Sequence, residues 1–201
     1  METKTKTSDR ILDILLREPF TDHTATSLAK TLGITRQGLW KSLNKLSNEK
    51  LISLKSIANT KKSVLNISLE LQNPVTSKTL SLLLTKELSN YERWKSTFAE
   101  IERNVSFFIL FGSVLNNSKE ANDIDIIAVV ENKQNFKQID EIVSKIQKTS
   151  AKKIHLIDLT EEEFKKELKN QNKAYLDAVK KGVILFGQDN LIKFITNLVS
   201  T

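Results

Sequence analysis

The chain has 201 residues, 39% hydrophobic and 27% charged, with a formal net charge of +7 and no cysteine. These are globular proportions, with material for one large core or two small ones, and they exclude disulfides and thiolate metal sites. The opening METKTKTSDR lacks the apolar core of a signal peptide, and no apolar run is long enough to span a bilayer, so a cytoplasmic protein without membrane contact is expected.

The positive charge is uneven. Residues 1–73 hold 12 Lys and Arg against 7 Asp and Glu, whereas residues 74–201 hold 19 against 17. Within residues 24–69, eight basic side chains face Glu49 alone. A one-sided excess of this kind is the electrostatic footprint of a nucleic-acid binder, and a merely lysine-rich surface would spread it more evenly.

In chain order, Ser8 is placed to cap a helix whose Ile11, Leu12, Leu15 and Leu16 recur at helical spacing before Pro19. His23 shows no partner in the sequence and reads as a loop residue. Thr24 opens a second helix, with Ala25, Leu28 and Ala29 inward and Gly33 as its stop. Thr35 caps a third, with Leu39, Leu43 and Leu46 on one face. Two alternating runs follow at 51–57 and 63–69, joined by ANTKK.

Three helices and a β-hairpin resemble a winged helix-turn-helix domain. The segment TATSLAKTLGITRQGLWKSLNKLSNEKLI (24–52) is similar to its second helix, turn and recognition helix. Opposite the leucines, the third helix presents Gln37, Lys41, Asn44 and Asn48, flanked by Arg36 and Trp40. Arg36, Gln37, Lys41, Asn44 and Lys45, with Lys61 and Lys62 at the hairpin tip, are the candidate contacts to double-stranded DNA. Trp40 reads as a packing residue. Protein docking or dimerisation without DNA is the competing use of such a module.

Asn73-Pro74 breaks the last strand and marks a boundary between residues 1–73 and a connecting helix at 74–104. From 76 to 103, Leu80, Leu84, Leu88, Tyr91, Trp94, Phe98 and Ile101 recur every three or four residues, a stripe that must be buried. Burial against the C-terminal sheet, between domains, or in a homodimer would each satisfy it. A homodimer is expected, because two half-sites suit a DNA reader.

Residues 105–130 (VSFFILFGSVLNNSKEANDIDIIAVV) carry the chemistry. An apolar strand ends in Gly112-Ser113, nine residues follow (114–122), and a second strand opens with Asp123 and Asp125. Strand side chains alternate, so both carboxylates share one side while Ile124 and Ile126 face a core. Neighbouring carboxylates repel unless a cation lies between them, and oxygen ligands suit Mg2+ or Mn2+. Gly112 lets the backbone approach a phosphate, to which Ser113 offers its hydroxyl and N–H.

This arrangement resembles the minimal nucleotidyltransferases of the DNA polymerase beta superfamily over residues 105–187, including the ending KGVILFG (181–187). The resemblance implies that the Gly112-Ser113 turn binds a triphosphate, that Asp123 and Asp125 hold the metals, and that ATP or another NTP is the substrate. Lys119, the one basic residue of the 114–122 loop, is the remaining phosphate candidate. A third strand at 153–159 would normally bring a third carboxylate, but aligning KKIHLIDLT there puts His155 in its place. Asp158 lies three residues on and faces the other side. His155 is either a weaker ligand, a general base, or an ordinary strand residue. Helices are expected at 136–146, at 161–168 behind a Thr160 cap, from 173 to a Gly182 stop before a short strand, and at 191–199.

The expected fold class is therefore α+β: an N-terminal winged helix (three helices plus β-hairpin), a long connecting helix, and a C-terminal small mixed-sheet nucleotidyltransferase domain over 105–201. The resemblance implies metal-dependent transfer of a nucleotidyl group from NTP to a hydroxyl; RNA and protein are candidate acceptors, and the sequence does not choose between them. The alternative is a transcriptional regulator whose C-terminal domain, impaired by His155, only binds nucleotide or dimerises.

Overall fold

The computed structural model describes residues 6–57, 64–118 and 120–199. They divide into two compact units, the first running through Leu83 and the second spanning Leu84–Leu198.

The first unit opens with α1 (Thr7–Arg17), α2 (Ala25–Leu32) and α3 (Arg36–Asn48), followed by the antiparallel strands β1 (Ile52–Ile57) and β2 (Val64–Leu69). This is the winged-helix order. Ile11, Leu12, Leu28, Leu39, Leu43, Leu46 and Ile67 are each at most 1% exposed, so the three helices and the hairpin share one core. Helix α2 is closed at both ends. Thr24 and Ser27 form a capping box (Ser27 N–H to Thr24 Oγ1, 3.1 Å; Thr24 N–H to Ser27 Oγ, 2.9 Å), and Gly33 stops the helix in the left-handed region at φ 67°. Thr35 caps α3 by accepting from the Gly38 N–H at 3.1 Å.

Two expectations are corrected here. The N-cap of α1 is Lys6, without a side-chain hydrogen bond, so Ser8 lies inside the helix and does not cap it. His23 is a buried structural residue rather than a plain loop residue: its backbone bridges Ile67 beside the hairpin, and its ring faces Glu18 at 3.7 Å.

Asn73 and Pro74 start α4 (Pro74–Leu88) rather than merely ending a strand. Proline is suited to the first helical position, and Asn73 Oδ1 accepts from the Val75 N–H at 2.9 Å. The helical stripe over 76–103 is realised in pieces. After α4 come a 3-10 turn (Ser89–Tyr91), α5 (Glu92–Thr97) and a 3-10 stretch (Ala99–Asn104). Ser89 and Asn90 account for the first break, because their side chains donate to the carbonyls of Lys86 (2.7 Å) and Glu87 (3.3 Å) and so compete with helix continuation.

The second unit is a four-stranded sheet ordered β5-β4-β3-β6, from β3 (Phe107–Phe111), β4 (Asp123–Val130), β5 (Lys153–Thr160) and β6 (Val183–Phe186). β3 is antiparallel to both its neighbours, and β4 runs parallel to β5 through the crossover helix α6 (Phe136–Thr149). Helices α7 (Glu161–Lys169), α8 (Lys173–Lys181) and α9 (Gln188–Val199) complete the unit. On one face Phe108, Leu110, Ile124 and Ile126 share a core with Trp94, Phe98, Ile101 and Ile139. On the other, Phe107 packs on Phe164 of α7 and Phe194 of α9, with centroids 5.7 and 5.4 Å apart. On that second face Asp123, Asp125 and His155 lie at the end of the sheet near the β3–β4 connection.

Candidate functional site

Residues opposite one another on paired strands lie on the same face. The register matches Phe111 with Asp125 and Asp125 with His155, so the three form a row across the sheet. Along β4 that face is apolar at Ile127 and Val129 but opens with Asp125 and Asp123, both half-buried where Ile127 is buried. The core-facing Ile124 (2% exposed) and Ile126 (0%) fix the register, since a one-residue slip would bury both carboxylates.

The turn after β3 is tied to this row. Gly112 adopts φ 84°, ψ −162°, a conformation strained for other residues. A Cβ built on it would come within 2.2 Å of Asp125 Oδ2. Glycine is therefore required by backbone shape and by the carboxylate packed beside it. Beyond it a single 3-10 turn (Ser113–Leu115) leaves Ser113 exposed, while Val114 is 2% exposed and anchors the turn in the core. At the other end of the loop, the Lys152 ammonium donates to the carbonyl of Ala121, pinning the backbone just before Asp123.

His155 stands beside Asp125 in this row. Its Nδ1 is 3.2 Å from Asp125 Oδ1, with side chains 42% and 30% exposed. Asp125 is thus flanked by Gly112 on one side and His155 on the other. Among the described residues no group of three or more acidic or histidine side chains converges as a metal cage. The donors suited to a hard divalent ion are the Asp123 and Asp125 carboxylates, two half-buried groups on one face at the start of β4.

A cleft of about 290 Å³ adjoins the turn, lined by Phe111, Gly112, Leu115, Asn116, Asp177 and Lys181. All of these but Gly112 were absent from the sequence candidates. Lys181 and Asp177 become visible only once β6 is paired with β3, which places the end of α8 beside the turn.

Comparison with known proteins decides the domain. Residues 92–190 match the family model "Polymerase beta, Nucleotidyltransferase". This segment is a polymerase beta nucleotidyltransferase domain. No curated protein matches the chain. Among solved structures, a mutant of Lactococcus lactis ZitR aligns at 29% identity over 49% of this chain and 65% of that one, with a TM-score of 0.35. The chain thus spans just under two thirds of that protein's length. Lactococcus lactis ZitR described as a zinc-responsive MarR family member aligns at 29% identity, 48% and 67% coverage and TM-score 0.34. Wild-type ZitR in complex with DNA gives 27%, 48%, 66% and 0.33. At such TM-scores the likeness carries no inference about fold, ligand or operator.

In the winged helix, Arg36, Gln37, Lys41, Asn44 and Lys45 are all exposed on α3, opposite the buried Leu39, Leu43 and Leu46. Lys45 also meets Glu49 at 3.8 Å, one turn on. Trp40 is half-buried, in keeping with a flanking position. Lys61, Lys62 and Lys119 lie outside the described residues. No helix among the described residues is long and apolar enough to cross a membrane.

Proposed function

We propose that the chain is a DNA-binding nucleotidyltransferase that, using magnesium or manganese, moves a nucleotidyl group from ATP or another NTP to a hydroxyl acceptor and releases pyrophosphate as the α–β phosphoanhydride bond breaks. The observation that carries this reading is the Asp125 carboxylate packed against Gly112, within a segment of the polymerase beta nucleotidyltransferase type. Asp123 and Asp125 would hold the divalent ion. When bound, the ion would supply neutralisation of the charge developing on the transferred group.

The chain's own groups bind and orient. Gly112 admits a phosphate close to the backbone, and the Ser113 N–H and hydroxyl donate to it, with Lys119 adding charge. His155, held through Nδ1 by Asp125, offers Nε2 to the acceptor hydroxyl and takes up its proton. In this reading Arg36, Gln37, Lys41, Asn44 and Lys45, with Lys61 and Lys62, hold residues 1–73 on double-stranded DNA. Segment 74–104 connects them to the catalytic segment 105–201, and a cytoplasmic homodimer presents two such readers.

Incubation with α-labelled ATP and Mg2+ or Mn2+, with cellular RNA or protein as acceptor, tests the activity. Label should pass to an acceptor and be lost with Asp123→Ala or Asp125→Ala. Transfer that survives both substitutions sinks the site.

A second reading has its own support. His155 where a third carboxylate is expected, already paired with Asp125, suits a regulator whose domain binds nucleotide without turnover. The two readings part at one residue. His155→Asp lowers transfer if the histidine is the base, and raises it if the native site is impaired.

A further inference from the structure

We infer that Lys181 binds the β- and γ-phosphates of a nucleoside triphosphate seated at the Gly112–Ser113 turn, which makes it a second phosphate-holding group. This rests on the proposed nucleotidyltransferase reading. Val183 pairs with Leu110, so the end of α8 arrives beside the residues where β3 gives way to the turn. The sheet edge is consequently polarised. His155 and Asp125 lie on one side of Phe111 along the row, and Lys181 lines the cleft that Phe111 and Gly112 border.

A triphosphate carries more negative charge than one divalent ion neutralises, and the 114–122 loop contributes a single basic residue, Lys119. Lys181 supplies the shortfall from a different element. Its Nζ is 3.4 Å from Asp177 Oδ1 on the preceding helical turn, with side chains 69% and 42% exposed. Exposed pairs of this spacing are weak, so the ammonium can exchange Asp177 for a phosphate oxygen. The cleft, at about 290 Å³, lies at the small end for ligand sites and suits part of a nucleotide rather than all of it. Phe111 and Leu115 give it apolar walls, and Asn116 contributes an amide.

Equilibrium binding of adenosine, AMP, ADP and ATP to the full chain with Mg2+ tests this, and GTP, CTP and UTP extend the series. Lys181→Ala should weaken ATP roughly fivefold, the upper range for an exposed charge pair, ADP less, and leave adenosine unchanged. Asp177→Asn should tighten ATP, because it frees the lysine and removes a like charge. That opposite sign separates phosphate binding from a structural role, and both variants should melt as the wild type does. ATP binding untouched by Lys181→Ala, or an equal loss for adenosine and ATP, overturns the inference while leaving the nucleotidyltransferase reading intact. A wild-type chain that binds none of the four triphosphates overturns both.

Discussion

Asp125 Oδ2 occupies the space into which a side chain at residue 112 would grow, since a Cβ there would stand 2.2 Å away. The carboxylate and the turn are therefore one unit, and a change in either displaces the other. Gly112→Ala meets this clash and a φ of 84° together. It should destabilise the C-terminal unit by about 1–3 kcal/mol and lower nucleotide affinity by more than that strain alone accounts for. Thermal melting with and without ATP and Mg2+ checks it: the variant should lose the ligand-induced rise in melting temperature.

The start of α7 makes a prediction about acid. Glu163 closes the capping box with Thr160, accepting from its N–H at 2.9 Å and its hydroxyl at 3.0 Å, and it pairs with Lys133 at 2.6 Å. The Lys133 ammonium first, then the Thr160 donors, hold its carboxyl down at about 2, from an ordinary 4.5. The folded value lies below the unfolded one, so this stabilisation is complete above pH 4.5 and fades as pH falls towards 2. Glu163→Gln should remove that part of the acid dependence, so the wild-type advantage in denaturant midpoint should shrink across that window and be screened by salt. A constant advantage from pH 7 to pH 2 would contradict it.

On the proposed DNA-binding reading, helix α3 makes a prediction about salt. Lys41 is exposed on the face opposite Leu39 and Leu43. If it meets a phosphate, Lys41→Ala should weaken duplex binding uniformly across sequences and reduce the salt slope by about 1. Asn44→Ala should instead act on sequence preference if it reaches a base edge. Fluorescence anisotropy at several salt concentrations separates the two outcomes.

Much of the fold and site was legible because local signals agreed with the tertiary arrangement. Gly112-Ser113 ends an apolar strand, Asp123 and Asp125 alternate with buried isoleucines, and Thr24, Thr35 and Thr160 each cap a helix. The strand pairing sets His155 opposite Asp125. What escaped depended on long-range pairing. His23 is buried through a bridge to Ile67, forty-four residues away, and periodicity within one helix cannot report that. Ser89 and Asn90 break a stripe whose apolar spacing continues unbroken in the sequence, so periodicity alone does not show the break. Asp177 and Lys181 reach the turn only through the order of the strands.

The central claim is that Asp123 and Asp125 share a cation with phosphate beneath the Gly112 turn. Electron paramagnetic resonance of Mn2+ titrated into the full chain with ATP reads this directly. An ATP-dependent bound-manganese signal is expected that disappears in the Asp123→Asn, Asp125→Asn double variant. A bound signal of equal strength in the double variant would contradict it.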